Sequence, residues 1–183
     1  MYIESETTPN PSTIKFLPGC AVMSSGTREF SSADAAESSP LAQAIFDTGD
    51  VTNVFFGGNF VSVTATPDTD WNTLKPQIVA ILLDHFVSQA PLFTGGDANA
   101  IHVPEDMEPV VEDNPADADI IAQINELLET RIRPAVAGDG GDVLYRGFSE
   151  GIVYLQMQGA CSGCPSSSAT LKHGIEGLLK HYV

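Results

Sequence analysis

Residues 139–166 read DGGDVLYRGFSEGIVYLQMQGACSGCPS, and this stretch decides the fold of the second half of the chain. Two runs of β-favouring residues, 143–148 and 152–158, flank a short polar segment that contains glycine, which is typical of a hairpin. The pair Cys161 and Cys164 follows the hairpin, and Pro165 is a favoured first residue of a helix. The stretch therefore predicts two antiparallel strands, a loop with two cysteines, and a final helix.

Helical periodicity flanks this hairpin on both sides. Apolar residues repeat at i, i+4, i+7 and i+8 in both segments: Ile120, Ile124, Leu127 and Leu128 before the hairpin, and Leu171, Ile175, Leu178 and Leu179 after it. Pro134 is expected to kink or end the first of these helices. Residues 117–183 are therefore predicted to form one domain with the order α-β-β-loop-α.

Residues 1–88 predict another small α+β domain. Val51–Phe56 and Phe60–Thr66 are β-rich runs joined by Gly57-Gly58-Asn59, a good hairpin turn. Two further strands are expected near the N-terminus, over Tyr2–Glu6 and Thr13–Leu17. One short helix is expected around Ile45 and Phe46, a longer one over residues 72–87, and a loop over residues 24–39.

Residues 89–116 are predicted to be a linker, because they contain four prolines, a Gly95-Gly96 pair and an acidic run. Residues 97–119 carry eight acids and no base, and like charges hold such a segment extended. The expected fold class is thus α+β, with two small domains joined by an acidic, proline- and glycine-containing linker.

The formal charge of −16 excludes some partners. Phosphate backbones and anionic membranes require clustered Lys and Arg, and the sequence has no such stripe. No apolar run approaches the roughly 18 residues of a membrane span. The N-terminus has neither a secretory signal nor the Arg-rich character of a transit peptide. We therefore expect a cytoplasmic protein or, if a transit peptide has been removed, one of the mitochondrial matrix.

Three cysteines are too few for a secreted disulfide framework, and the C-x-x-C pair indicates metal binding or redox chemistry. A following helix N-terminus favours the thiolate form, which is the form that binds iron. An iron–sulfur cluster needs about four thiolates, whereas Cys161 and Cys164 supply two. Cys20 is one more in a distant domain, and we expect it to be no ligand. A homodimer in which each chain gives two cysteines meets the requirement most simply.

Other functions use cysteine pairs as well. A thiol–disulfide oxidoreductase has the same spacing, but it would place the motif after a core strand in a βαβ pattern. A structural zinc site needs two more ligands, and His173 and His181 have the wrong spacing for a zinc finger. An interaction module with vestigial cysteines is a third alternative.

The sequence resembles the Nfu-type iron–sulfur scaffold proteins, which are related to the NifU C-terminal domain. In the second half the resemblance is carried by residues 130–134 (TRIRP), 139–143 (DGGDV) and 159–167 (GACSGCPSS). In the first half it is carried by residues 8–11 (TPNP), 15–19 (KFLPG) and 54–57 (VFFG). It covers nearly the whole chain.

The resemblance implies a 4Fe–4S cluster that bridges two subunits and is delivered to apo iron–sulfur client proteins, after loading by upstream assembly factors. It assigns cluster ligation to Cys161 and Cys164 only, and it implies a scaffold or carrier that is not an enzyme. Members of the family usually continue past the final helix into another strand, which this sequence lacks after Val183. We therefore expect an open sheet edge in the second domain.

Overall fold

The computed structural model describes residues 1–94, 111–162 and 165–183, with the backbone alone at residues 165–168 and 170. Its first domain is an antiparallel sheet with the strand order β1-β2-β5-β4-β3. The strands are β1 (Glu4–Thr7), β2 (Thr13–Leu17), β3 (Arg28–Phe30), β4 (Val51–Phe56) and β5 (Val61–Ala65). A 3₁₀ turn (Ala35–Ser38), α1 (Pro40–Phe46) and α2 (Trp71–Ser88) complete the domain.

The core of the first domain lies between one face of the sheet and the two helices. Strand alternation sends Val54 and Phe56 of β4 to this face, together with Val61 and Val63 of β5. Apolar residues of both helices pack on the same core, among them Leu41, Ile45, Leu74, Ile78 and Leu82. Each such side chain contributes roughly 1.5–3 kcal/mol when it is fully buried, so this core stabilises the domain.

Each helix of the first domain begins directly after a residue whose side chain caps its first turn. Ser39 Oγ accepts a hydrogen bond from the backbone N–H of Ala42 at the start of α1. Asp70 does the same for the N–H of Asn72 at the start of α2, and Pro76 lies early enough in α2 to be tolerated. The predicted helix over residues 72–87 is therefore confirmed with one more residue at each end.

The predicted loop over residues 24–39 is wrong in part, because it contains β3. Three residues are too few for alternation to be recognised, and the strand exists because Arg28, Glu29 and Phe30 pair with β4. The other expected strands lie within one or two residues of their predicted positions.

The second domain begins with one long helical segment. It consists of α3 (Ala118–Leu127), a π-helical turn (Leu128–Ile132) and α4 (Arg133–Gly138). Pro134 was expected to kink or end the helix. It lies in the first turn of α4, directly after the π-helical turn, where a missing N–H is tolerated. The helical segment thus continues past Pro134 to Gly138.

The hairpin and the final helix follow as predicted: β6 (Gly141–Ser149), β7 (Ile152–Gly159) and α5 (Pro165–Tyr182). The order α-β-β-loop-α is confirmed. The buried core of this domain is formed by the helices and the hairpin, with Ile124, Leu128, Ile132, Val136, Val143, Phe148, Cys161 and Ile175. None of the helices in the described parts of the chain is long and apolar enough to cross a membrane.

The predicted linker lies partly outside the described residues, since the structure omits 95–110. Its last part contacts the hairpin. Asp113 Oδ1 accepts hydrogen bonds from the hydroxyl of Tyr145 at 2.7 Å and from the N–H of Phe148 at 3.0 Å. Burial, with the Asp113 carboxylate beside the hydroxyl, raises the pKa of Tyr145 above its usual value.

Candidate functional site at the cysteine motif

Cys161 lies two residues after the end of β7 and four residues before α5 begins. Its side chain is only 3% exposed and belongs to the core of the second domain. A Cβ atom added to Gly141 would lie 2.8 Å from Cys161 Sγ, so the thiol packs directly on the first residue of β6. The sequence predicts a loop that contains two cysteines, and the structure shows that the first of them is buried. A thiol is a small apolar group, and the glycine opposite leaves room for it.

Of the two predicted ligands, the structure describes Cys161. Cys164 lies outside the described residues, and its role as a ligand stays a prediction. Cys20 is an exposed residue of the first domain. His173 and His181 are exposed on α5. Within the described part of the chain, no three His, Cys, Asp or Glu side chains form a group that could hold a metal ion.

The first domain contacts the backbone on both sides of Cys161. Glu29 Oε1 accepts a hydrogen bond from the N–H of Gly159 at 2.9 Å. Asn10 Nδ2 donates to the carbonyl of Ala160 at 3.3 Å. Gly159 and Ala160 directly precede the first cysteine, so the first domain holds the chain that leads into the motif.

The turn before β6 is held in the same way. Ser62 Oγ donates to the carbonyl of Gly140 at 2.6 Å, and Lys15 Nζ donates to the carbonyl of Gly138 at 3.4 Å. Ser62 is 1% exposed and Lys15 is 8% exposed, which is unusually low for a lysine. The two domains are therefore in contact, which the acidic composition of the linker does not predict.

Gly140 and Gly159 make this contact possible. Both have positive φ angles, +83° and +65°, which side chains rarely adopt. A Cβ atom on Gly140 would lie 2.9 Å from Ser62 Oγ, and one on Gly159 would lie 3.1 Å from the ring of Phe55. Glycine at both positions thus allows the sheet of the first domain to touch the backbone of the second.

A buried ion pair anchors the start of β6. Arg133 Nε and Nη2 donate to the two carboxylate oxygens of Asp142 at 2.9 and 2.8 Å. Thr27 of the first domain donates its hydroxyl to the same carboxylate at 2.9 Å. The hydrogen bonds to Asp142 hold the pKa of Arg133 above its usual value, although burial acts in the opposite direction. Asp142 therefore ties α4, β6 and the first domain together.

Replacing Asp142 with Asn should lower the free energy of unfolding by about 2–3 kcal/mol, because Arg133 would keep only the exposed carboxylate of Glu129 as a countercharge. This loss of stability is smaller than the full cost of breaking a buried ion pair, since the Arg133 side chain is 27% exposed. Urea unfolding followed by circular dichroism measures the difference. Asp139→Asn, in the adjoining turn, is the matched control and should change stability by less than about 0.5 kcal/mol. Equal losses in both variants would contradict the anchoring role.

Two protein-family models match the chain in the same order as its domains. The model described as "Scaffold protein Nfu/NifU N terminal" matches residues 3–89, and the model described as "NifU-like domain" matches residues 124–183. The second match contains the hairpin, Cys161 and α5. This chain belongs to the Nfu/NifU scaffold family. Its first domain is the Nfu/NifU N-terminal domain, and its second domain is the NifU-like domain.

Relatives with both halves are similar along the whole chain. The chain is 49% identical over 185 residues to "NifU-like protein 5, mitochondrial" of Arabidopsis thaliana, with 100% of this chain and 65% of that protein covered. It is 44% identical over 184 residues to the human "NFU1 iron-sulfur cluster scaffold homolog, mitochondrial", with 100% and 68% covered. The chain thus spans about two thirds of the length of these relatives.

Among solved structures, the chain is similar to the solution structure of a NifU-like protein from Saccharomyces cerevisiae. The match has a TM-score of 0.47 and 24% identity, and it covers 51% of this chain and 85% of that one.

The first-domain residues that hold the backbone leading into Cys161 were not predicted from the sequence. Glu29 and Ser62 are ordinary polar residues on strands that no motif marks, and Asn10 lies in the 8–11 stretch (TPNP), which gives no sign of this contact. One signal was present. Phe55 follows Val54 and precedes Phe56 on a single strand, so one of two adjacent aromatic residues had to be covered by something other than the core of its own domain.

Proposed function

We propose that this chain is an iron–sulfur cluster scaffold and carrier, which binds a 4Fe–4S cluster across a homodimer and delivers it to apo iron–sulfur proteins. The observation that carries the proposal is Cys161 in a NifU-like domain, between the hairpin and α5. The cluster is the cargo of the protein. Upstream assembly factors load it, and the chain performs no turnover chemistry of its own.

The ligands in this proposal are Cys161 and Cys164 of each chain. Four thiolates complete either common type of cluster, and a two-fold axis brings identical motifs together. Cys161 fits the role chemically, since it is a thiol at the end of a hairpin. Because its side chain is buried, binding requires the segment from Gly159 to turn the thiol outward. Gly159 gives that segment conformational freedom at its start.

The chain is proposed to act in the mitochondrial matrix. The support is the printed names of its relatives from Arabidopsis thaliana and Homo sapiens, both of which include the word mitochondrial. This favours the matrix over the cytoplasm, which the sequence also allows.

Oxidoreductase activity has less support. A reductase needs an exposed thiol of low pKa that attacks a disulfide and a second thiol that resolves it. Cys161 is 3% exposed, so it is poorly placed for attack. The names of the matching families and relatives refer to scaffolds and to NifU-like proteins.

Native mass spectrometry after anaerobic reconstitution should find the cluster on a dimer, and removal of the iron should shift the population toward monomer. The reason is that bridging thiolates are part of the interface, so cluster binding and assembly are linked. Parallel iron and sulfide quantification gives the stoichiometry. One complete cluster on a monomer would contradict the shared site, and a chain that binds no iron would contradict the scaffold function itself.

A further inference from the structure

Four residues on adjacent strands of the first domain form a row that lies against glycines of the second domain. The registers of β2, β5, β4 and β3 place Lys15 opposite Ser62, Ser62 opposite Phe55, and Phe55 opposite Glu29. These four residues, here called the docking row, lie on the face of the sheet opposite to the core of the first domain. A free sheet would expose this face to water. Here Phe55 is 0% and Ser62 1% exposed.

Within its own domain the row is held by side chains, since Lys15 pairs with Glu6 at 3.5 Å and Glu29 accepts from Asn53. In the second domain the row contacts backbone groups of the glycine turns. Lys15 reaches the carbonyl of Gly138, and Ser62 reaches that of Gly140. The ring of Phe55 lies against Gly159, whose N–H donates to Glu29. The docking row therefore binds the backbone of a glycine-rich segment, which includes Gly159 just before the cysteine motif.

Glu29 is the charged acceptor in this row. Its Oε1 accepts from Asn53 Nδ2 at 3.0 Å as well as from Gly159, so the carboxylate is held in place on the sheet. The N–H of Gly159 lies two residues before Cys161. Backbone N–H groups next to a cluster donate to its sulfur atoms, and a cluster with four thiolates is an anion. The Glu29 carboxylate therefore already accepts from the N–H of Gly159, a donor that an anionic cluster would otherwise use.

We propose that the docking row is a binding surface for the apo cysteine motif of its own chain, and that loading of the cluster releases it. The contact holds Gly159 and Ala160, the residues that lead into Cys161, whose thiol packs in the core of the second domain. An incoming cluster repels the Glu29 carboxylate and takes the donor from it, so the first domain leaves the motif. The released motif then meets a second copy. The release half of this proposal rests on the proposed scaffold function.

Lys15 provides a footprint of the docked state. Its side chain is 10% exposed, and Nζ lies 5.0 Å from the centre of the Phe60 ring and next to the carbonyl of Gly138. Acetylation of the full chain by a succinimidyl ester, read by mass spectrometry, should therefore be slow at Lys15 in the apo form. Lys75, on α2 of the same domain, is the internal reference.

Glu29→Lys should release the first domain in the apo chain. The change places a cation against the N–H of Gly159 and removes the charged acceptor of this buried donor. Because undocking exposes Lys15, the rate of Lys15 acetylation should rise about tenfold or more. Glu29 and Lys15 lie at opposite ends of the docking row, so the footprint does not report a local change. Glu37→Lys makes the same charge reversal at an exposed position and should leave the Lys15 rate unchanged.

Glu29→Gln separates docking from release. Its amide oxygen still accepts from Gly159, so the apo chain should stay docked and Lys15 should stay protected. On loading, the wild-type chain should expose Lys15 about as fully as Glu29→Lys does, whereas Glu29→Gln should expose it less because the like-charge repulsion is gone.

The outcomes decide each half of the proposal. If Glu29→Lys and Glu37→Lys give the same Lys15 rate, the docking row is not a binding surface. If Glu29→Lys does not fold, amide hydrogen exchange at Gly159 in the wild-type apo chain decides instead, and fast exchange overturns the docking. Iron-loaded wild type with a protected Lys15 overturns the release. A wild-type chain that takes up no iron refutes the scaffold function and with it the release, while the apo footprint still decides the docking.

Discussion

Replacing Cys161 or Cys164 with Ala is expected to lower the iron content of the reconstituted chain from about 2 atoms per chain, the share of a four-iron cluster on a dimer, to background. Each dimer would retain two of its four thiolates, and two thiolates do not hold a cluster against chelators. Iron and sulfide quantification after anaerobic desalting, together with the visible absorption of the cluster, measures the loss. Both substitutions should act alike, because the two cysteines contribute equally to a symmetric site.

The loss of iron must be separated from a loss of folding, since Cys161 is part of the core of the second domain. Removal of one buried sulfur is expected to cost about 1 kcal/mol, which leaves the domain folded, and circular dichroism checks this. Cys20→Ala removes an exposed thiol of the first domain and should leave the iron content unchanged. Iron lost from the Cys20 variant and kept by the Cys161 variant would show that the ligands are assigned wrongly.

Much of the fold could be predicted from periodicity. Four apolar residues at helical spacing were enough to predict α2, α3 and α5, and alternation with glycine turns predicted the hairpins β4–β5 and β6–β7. These elements bury a continuous face, so the pattern in the sequence and the core in the structure have the same cause.

The features that escaped prediction depend on contacts between distant segments. β3 is a strand because β4 supplies its partners, and Phe55 is buried because the second domain covers it. The burial of Cys161 has the same origin, since it depends on the path of β6 past Gly141. The C-x-x-C spacing indicates which atoms can bind iron. This spacing does not indicate whether the folded chain buries those sulfur atoms.

That difference between chemistry and accessibility matters for the choice between carrier and reductase. Both functions use thiolates next to a helix N-terminus, so the motif supports either. A reductase works with the apo thiols, whereas a carrier keeps them for its cargo. A chain whose fold buries Cys161 is suited to the second task. The apo form is therefore expected to reduce the disulfides of insulin no faster than the uncatalysed thiol control.

The loaded chain, by contrast, is expected to activate an apo 4Fe–4S enzyme in the presence of a chelator that stops activation by free iron and sulfide. Transfer by thiolate exchange on a shared site never releases iron to solution, so the chelator cannot intercept it. Cys161→Ser, which keeps nearly the size of the side chain and removes the thiol, should transfer nothing under the same conditions. Two results together would contradict the carrier function: rapid insulin reduction by the apo chain, and transfer that the chelator abolishes. The second result would mean that the iron passes through solution before it reaches the enzyme. Cys161 and Cys164 would then be reassigned as redox cysteines.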